Sequence, residues 1–160
     1  MEHARIPNLR VLIVDDQPEI HDDFDEILTP NLIETAGGAF GPVSNGPMLP
    51  AFELSHAVSG GDACDMVKAA READRPFALA YIDVRMPPGM DGIETIRRIR
   101  AFEQGLEIVI MTAYTDKPLS EIIHDMPLPH KLLYIRKPFA SEEVQQITLS
   151  LVAKWNIERE

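Results

Sequence analysis

The chain alternates between short apolar runs and longer stretches in which apolar residues recur every three or four positions. Leu9–Val14, rich in β-branched residues, predicts a buried strand. Pro18 suits the first turn of a helix, and Ile20, Phe24, Ile27 and Leu28 then stand at i, i+4, i+7 and i+8, so that helix packs one face inward. Asp22, Asp23, Asp25 and Glu26 fall on its outer face, three of them early, where negative charge is favoured. His21, beside them, reads as an ordinary outward-facing surface histidine rather than a metal ligand.

Thr29–Pro50 breaks the rhythm, with four prolines, four glycines and no sustained period. It is too long for an ordinary helix–strand connection. Two readings stand for it, a surface excursion and a partner-binding loop. Because it follows a helix, it is expected at the sheet edge opposite Asp15 and Asp83.

Phe52–Val58 predicts a weak strand, with Phe52 and Leu54 alternating, and Gly60-Gly61-Asp62 turns the chain into a helix that buries Ala63, Met66, Val67 and Ala70. Phe77–Ile82, bounded by Pro76, predicts a third, buried strand. Ile93, Ile96, Ile99 and Phe102 mark a third helix, and Glu107–Met111 a fourth strand. A short helix is expected near Pro118, burying Leu119, Ile122, Ile123 and Met126. Leu132–Ile135 is the fifth strand. Ser141 is expected to cap a last helix at about 141–157, whose stripe runs through Val144, Ile147, Thr148, Leu151, Val152 and Trp155, the last as core or interface. Five strands alternating with five helices predict an α/β fold, a doubly wound five-stranded parallel sheet covered on both faces.

Composition narrows the function. The 160 residues suit one domain, long enough to bury about 70% of the unfolded surface. A formal net charge of −11 argues against nucleic acid. It suits divalent cations, basic partner surfaces or simply a solvated acidic exterior. The single cysteine, Cys64, excludes an internal disulfide and fits a reducing compartment. It reads as an unreactive thiol. No apolar run approaches the roughly 18 residues of a membrane span, and Met1-Glu2-His3-Ala4-Arg5 offers no signal-peptide core. The expected location is cytoplasmic.

The strand ends carry the candidate chemistry. The first strand runs into Asp15-Asp16, the third into Asp83, the fourth into Thr112 and the fifth into Lys137. A parallel sheet places all of these on one edge, where open α/β sheets bind ligands. Three crowded carboxylates raise one another's pKa unless a cation binds among them. All-oxygen donors favour a hard ion such as Mg2+. The ammonium and the hydroxyl are the groups that would hold a phosphoryl oxygen. Such a set suits transfer of a phosphoryl group onto a carboxylate, with Asp83 as nucleophile.

In combination and in order, Asp15-Asp16, Asp83 with Met86-Pro87 and Asp91-Gly92, Thr112-Ala113, and Lys137-Pro138-Phe139 resemble the receiver domain of bacterial two-component response regulators. The resemblance covers nearly the whole chain, with Thr29–Pro50 as the main departure. The stretch Met86-Pro87-Pro88-Gly89-Met90-Asp91-Gly92 is also one residue longer than the commonest family pattern.

The resemblance implies a flavodoxin-like, chemotaxis-regulator-like receiver fold with strand order 2-1-3-4-5, spanning 1–160 with an insertion at about 29–50. It implies that Asp83 accepts a phosphoryl group from a sensor histidine kinase or a histidine phosphotransfer protein. Asp16, the Asp83 carboxylate and the Arg85 carbonyl would bind Mg2+ directly, and Asp15 through water. Lys137 would pair with Asp83 and then with the phosphoryl oxygens, its peptide to Pro138 being cis. Thr112 and Tyr134 would form a switch, moving the face of the fourth helix, fifth strand and fifth helix where such domains bind partners or dimerise. Arg85, Ala113 and Tyr114 would flank the phosphoryl group. Because Arg85 and Tyr114 are large and neither is an acceptor able to orient a water, slow self-dephosphorylation is expected.

Two rival readings stand beside this one. An Mg2+-dependent phosphatase of the aspartyl-nucleophile type usually has a second aspartate two residues after the nucleophile, where this chain has Arg85. A receiver-like docking module without phosphorylation would not need the intact acidic pair, Thr112 and Lys137. The polar stretch Lys154–Glu160 leaves two arrangements open, a stand-alone relay protein and a receiver that leads into an output domain.

Overall fold

The computed structural model describes residues 6–29, 32–34, 40–42, 49–86, 89–113, 121 and 126–159. In chain order these form β1 (Arg10–Val14), α1 (Pro18–Leu28), β2 (Leu32–Glu34), β3 (Phe40–Pro42), β4 (Glu53–Ala57), α2 (Gly60–Glu72), β5 (Leu79–Asp83), α3 (Gly92–Arg100), β6 (Glu107–Thr112), a 3-10 turn (Pro129–Lys131), β7 (Leu132–Arg136) and α4 (Ser141–Ile157). The main sheet is parallel throughout, in the order β4-β1-β5-β6-β7. Counting only its own strands, that is the expected order 2-1-3-4-5.

The alternation of side chains along the strands explains the layers. Leu12, Val14, Ala80, Ile82, Ile108 and Ile110 point to one face, under α2 (Ala63, Val67) and α3 (Ile96, Ile99). Val11, Ile13, Leu79, Tyr81, Val109 and Met111 point to the other, under α1 (Phe24, Leu28) and α4 (Val144, Leu151, Val152). β1, β5 and β6 are covered on both sides, which is why they read as unbroken apolar runs. Tyr81, fully buried, packs with its ring tilted against Phe24, centroids 4.7 Å apart, and shares a 2.7 Å hydrogen bond with Thr148, tying the central strand to α1 and α4 at once. That bond satisfies its hydroxyl, so the ring is buried without an orphaned polar atom.

Two local readings differ from the structure, and a third lies largely outside the described residues. Within the long excursion, β2 and β3 pair as an antiparallel ribbon, Leu32 opposite Pro42 and Glu34 opposite Phe40. Three residues a side are too few to show a period in sequence. The end of the excursion lies at the strand-starting edge, where Glu53 N–H donates to the Leu9 carbonyl at 2.8 Å. The last helix is capped by Ala140, without a side-chain bond, and Ser141 is its first residue. Serine one place inside a helix is indistinguishable in sequence from serine at the cap. Finally, four helices stand among the described residues. The helix expected near Pro118 lies largely outside them, as do its residues Leu119, Ile122 and Ile123, while Met126 is buried against the α2–α3 face. No helix among the described residues is long and apolar enough to cross a membrane.

Candidate functional site

The strand order reverses at β1, whose neighbours are β4 on one side and β5 on the other. The crevice at the ends of β1 and β5 is therefore the topological switch point. Asp15 follows β1 directly and Asp83 ends β5. β6 ends in Thr112, whose carbonyl accepts a 2.7 Å bond from Lys137 N–H just past β7. Four strand ends thus converge on one crevice.

Asp15 is fully buried and Asp83 is 7% exposed. Lys137 Nζ lies 2.6 Å from Asp15 Oδ2 and 3.6 Å from Asp83 Oδ2. The ammonium sits closer to Asp15 than to its expected partner, because an unmatched charge is most costly on the more deeply buried carboxylate. Asp15 Oδ1 accepts a 2.9 Å bond from Gln17 N–H, an Asx turn that leads into α1 at Pro18. The Lys137–Pro138 peptide is cis.

Oxygens of Asp15, Asp16 and Asp83 come within 4.8 Å of one another. Burial, then the nearby Asp15, pushes the Asp83 carboxyl up from 3.8 to about 6, against the pull of Lys137 and of the Arg85 backbone N–H. One lysine does not neutralise three carboxylates. The remaining negative charge and the all-oxygen donor set fit a hard divalent cation.

The loop after Asp83 is packed from below by α3. Asp91 caps that helix through a 2.8 Å bond from Glu94 N–H, and Gly92 N–H donates to the Val84 carbonyl at 3.0 Å. A Cβ on Gly92 would overlap the Asp83 carbonyl, so only glycine allows this approach. Thr112 is buried, Arg85 exposed and Ala113 partly exposed. Tyr134, on edge strand β7, is 54% exposed. Tyr114 lies outside the described residues. An open groove of about 650 Å3 runs from Lys137 between α1 and α4, lined by Ile20, Ile27 and Phe139 among others.

His21 is not an outward-facing surface residue. It is 8% exposed, with Nε2 2.7 Å from the Asp15 carbonyl and Nδ1 2.6 Å from His56 Nδ1. His56 Nε2 in turn lies 2.9 Å from Asp25 Oδ1. The signal was available, since His21, Phe24 and Leu28 form an i, i+3, i+7 series on the buried face of α1. The aspartates around His21 masked it.

The response regulator receiver domain model matches residues 50–148. The chain is 28% identical over 138 residues to sporulation initiation phosphotransferase F of Bacillus subtilis, covering 86% of this chain and 89% of that protein. It is 34% identical over 76 residues to the transcriptional regulatory protein FixJ of Bradyrhizobium diazoefficiens, covering 48% of this chain and only 35% of FixJ. Among solved structures, a CheY-like response regulator receiver domain protein from Methanospirillum hungatei superposes with a TM-score of 0.65 at 22% identity, covering 93% of this chain and 97% of that one.

Proposed function

The chain belongs to the response regulator receiver domain family of two-component systems, and on that premise we propose that it is a phosphoacceptor in which Asp83 receives a phosphoryl group from a partner's histidine. The observation that carries this reading is Lys137 held between two buried carboxylates, 2.6 Å from Asp15 and 3.6 Å from Asp83, at the open crevice of the sheet. A carboxyl raised to about 6 is still mostly ionised at neutral pH, so Asp83 can attack.

One carboxylate oxygen of Asp83 forms the new bond to phosphorus as the phosphorus–nitrogen bond of the donor breaks, and the electron pair leaves with the imidazole. Lys137, tethered by Asp15, sits where it can shift onto the phosphoryl oxygens, and the Thr112 hydroxyl can donate to another. The carboxylates of Asp15, Asp16 and Asp83, with the Arg85 carbonyl, would hold Mg2+, Asp15 through water. Its contribution would be charge neutralisation at the phosphoryl oxygens. Tyr134 stands two residues before Arg136, the register partner of Thr112, so movement of Thr112 toward the phosphoryl group gives Tyr134 a direction to follow. Through it the change would reach the β7–α4 side, where a partner or a second copy docks. The donor would be a sensor histidine kinase or a histidine phosphotransfer protein, acting in the cytoplasm.

Phosphoramidate, which carries the same phosphorus–nitrogen bond as phosphohistidine, tests the reading. The chain should take up one phosphoryl group per molecule in Mg2+ and lose the capacity on chelation. Failure to incorporate phosphate in excess Mg2+ would overturn it.

A further inference from the structure

The histidine pair on the flank of the crevice has no part in the chemistry above, yet it is wired to the acidic turn. Asp15 is held on four sides. Its N–H donates to the Ala57 carbonyl at 3.1 Å, Oδ1 accepts from Gln17 and Oδ2 from Lys137. The fourth hold is His21, 2.7 Å from its carbonyl oxygen. That oxygen belongs to the Asp15–Asp16 peptide, so its direction sets the plane from which Asp16 departs. The Asp16 carboxylate is exposed, and among the described residues it has no hydrogen bond or ion pair.

Proton placement follows from the partners. A carbonyl only accepts, so His21 Nε2 carries a hydrogen, and in the neutral ring Nδ1 is left as an acceptor. The 2.6 Å contact between the two Nδ1 atoms then needs its hydrogen on His56. His56 Nε2 donates to the Asp25 carboxylate at 2.9 Å, which fixes the His56 ring beside His21. The chain Asp25–His56–His21 therefore locks the ring angle and the tautomer of His21. The hydrogen bond from His21 to the backbone is the last link, and it lies one peptide from the cation pocket.

We propose that His21 is a positioning residue: its Nε2–H fixes the Asp15–Asp16 peptide and so aims the Asp16 carboxylate at the cation pocket, with His56 and Asp25 holding it in the donating tautomer. The proposal rests on the reading of that pocket as an Mg2+ site. Groups that orient a metal's ligands typically contribute about 10–100-fold to affinity, and here the expected effect is at the lower end because Asp16 is one of several ligands.

The test compares wild type with His21→Leu, which removes the donor, His21→Gln, whose amide N–H can still reach the carbonyl, and His56→Leu, which frees the tautomer. Mg2+ affinity of the unphosphorylated chain, by calorimetry, should fall about tenfold in His21→Leu. It should stay within a few-fold of wild type in His21→Gln and be intermediate in His56→Leu. In metal-free protein, nitrogen NMR should find the His21 proton on Nε2, and the Asp16 amide resonance should move in His21→Leu and not in His21→Gln. Unchanged Mg2+ affinity in His21→Leu, equal losses in Leu and Gln, or a His21 proton on Nδ1 would each overturn the proposal. Absence of Mg2+ binding by wild type would instead overturn the reading of the pocket, and the metal-free spectra would still decide whether His21 holds the turn.

Discussion

Replacing Asp83 by asparagine should make the metal-free protein more stable at neutral pH. The carboxyl is 7% exposed, and its value rises from 3.8 to about 6 chiefly through burial and secondly through Asp15. At about 1.4 kcal/mol per tenfold, ionising it in the folded state is disfavoured by up to roughly 3 kcal/mol relative to the unfolded chain. Asparagine keeps the shape and removes the charge, while Lys137 retains Asp15 at 2.6 Å and is not orphaned. Below about pH 3 the carboxyl is protonated in both states and contributes nothing. As pH rises through 4 to 6 the unfolded chain releases this proton first, so wild type loses stability, and the loss is complete somewhat above 6. Urea denaturation in EDTA across pH 3 to 8 should show Asp83→Asn matching wild type near pH 3 and exceeding it by about 1–3 kcal/mol at pH 7.5. For a chain of this size that is roughly 3–10 °C in Tm. A variant less stable than wild type at pH 7.5, or a gap equally wide at pH 3, would refute the electrostatic account of the crevice.

Lys137→Met should do the opposite, leaving the fully buried Asp15 carboxylate unmatched and costing about 3 kcal/mol in EDTA, as read by urea denaturation; part of that loss should return with Mg2+. Exchange of residues 30–48 for a short Gly/Asn linker should leave the phosphorylation rate within a few-fold, because the excursion ends at the far edge of the sheet and loop length changes closure by only about 0.6 kcal/mol per doubling. A collapse in rate in a folded variant would place those residues at the site. The phosphorylated state should be long-lived, and Arg85→Asn combined with Tyr114→Glu should hydrolyse severalfold faster by supplying groups that orient water. An unchanged lifetime in the double variant would remove Arg85 and Tyr114 as a shield.

Most of the fold was legible because its signals are local. β1, β5 and β6 are buried on both faces and read as apolar runs, and α1 to α3 show helical spacing over two or more turns. The juxtaposition of Asp15, Asp83 and Lys137 was legible because a parallel sheet brings strand ends together whatever the loops do. What escaped were features decided by tertiary packing. Lys137 favours Asp15 over Asp83 by depth of burial, which one strand end cannot reveal about another. Glu107 opens β6 as a charged residue, yet it is 1% exposed and held by Lys131 at 2.9 Å and Lys154 at 2.8 Å, from two elements more than twenty residues away. His21 was the miss that sequence could have avoided, since its spacing to Phe24 and Leu28 outweighs the acidic residues beside it. Its partner His56 could not have been found, because only the pairing of β4 with β1 brings it there.

The measurement closest to the central claim is the position of the phosphoryl group. The chain is incubated with acetyl phosphate and Mg2+, digested, and mapped by mass spectrometry. One adduct is expected, on Asp83, absent in Asp83→Asn and absent when EDTA is added first. An adduct that persists in Asp83→Asn, or full labelling without a divalent cation, would contradict the account.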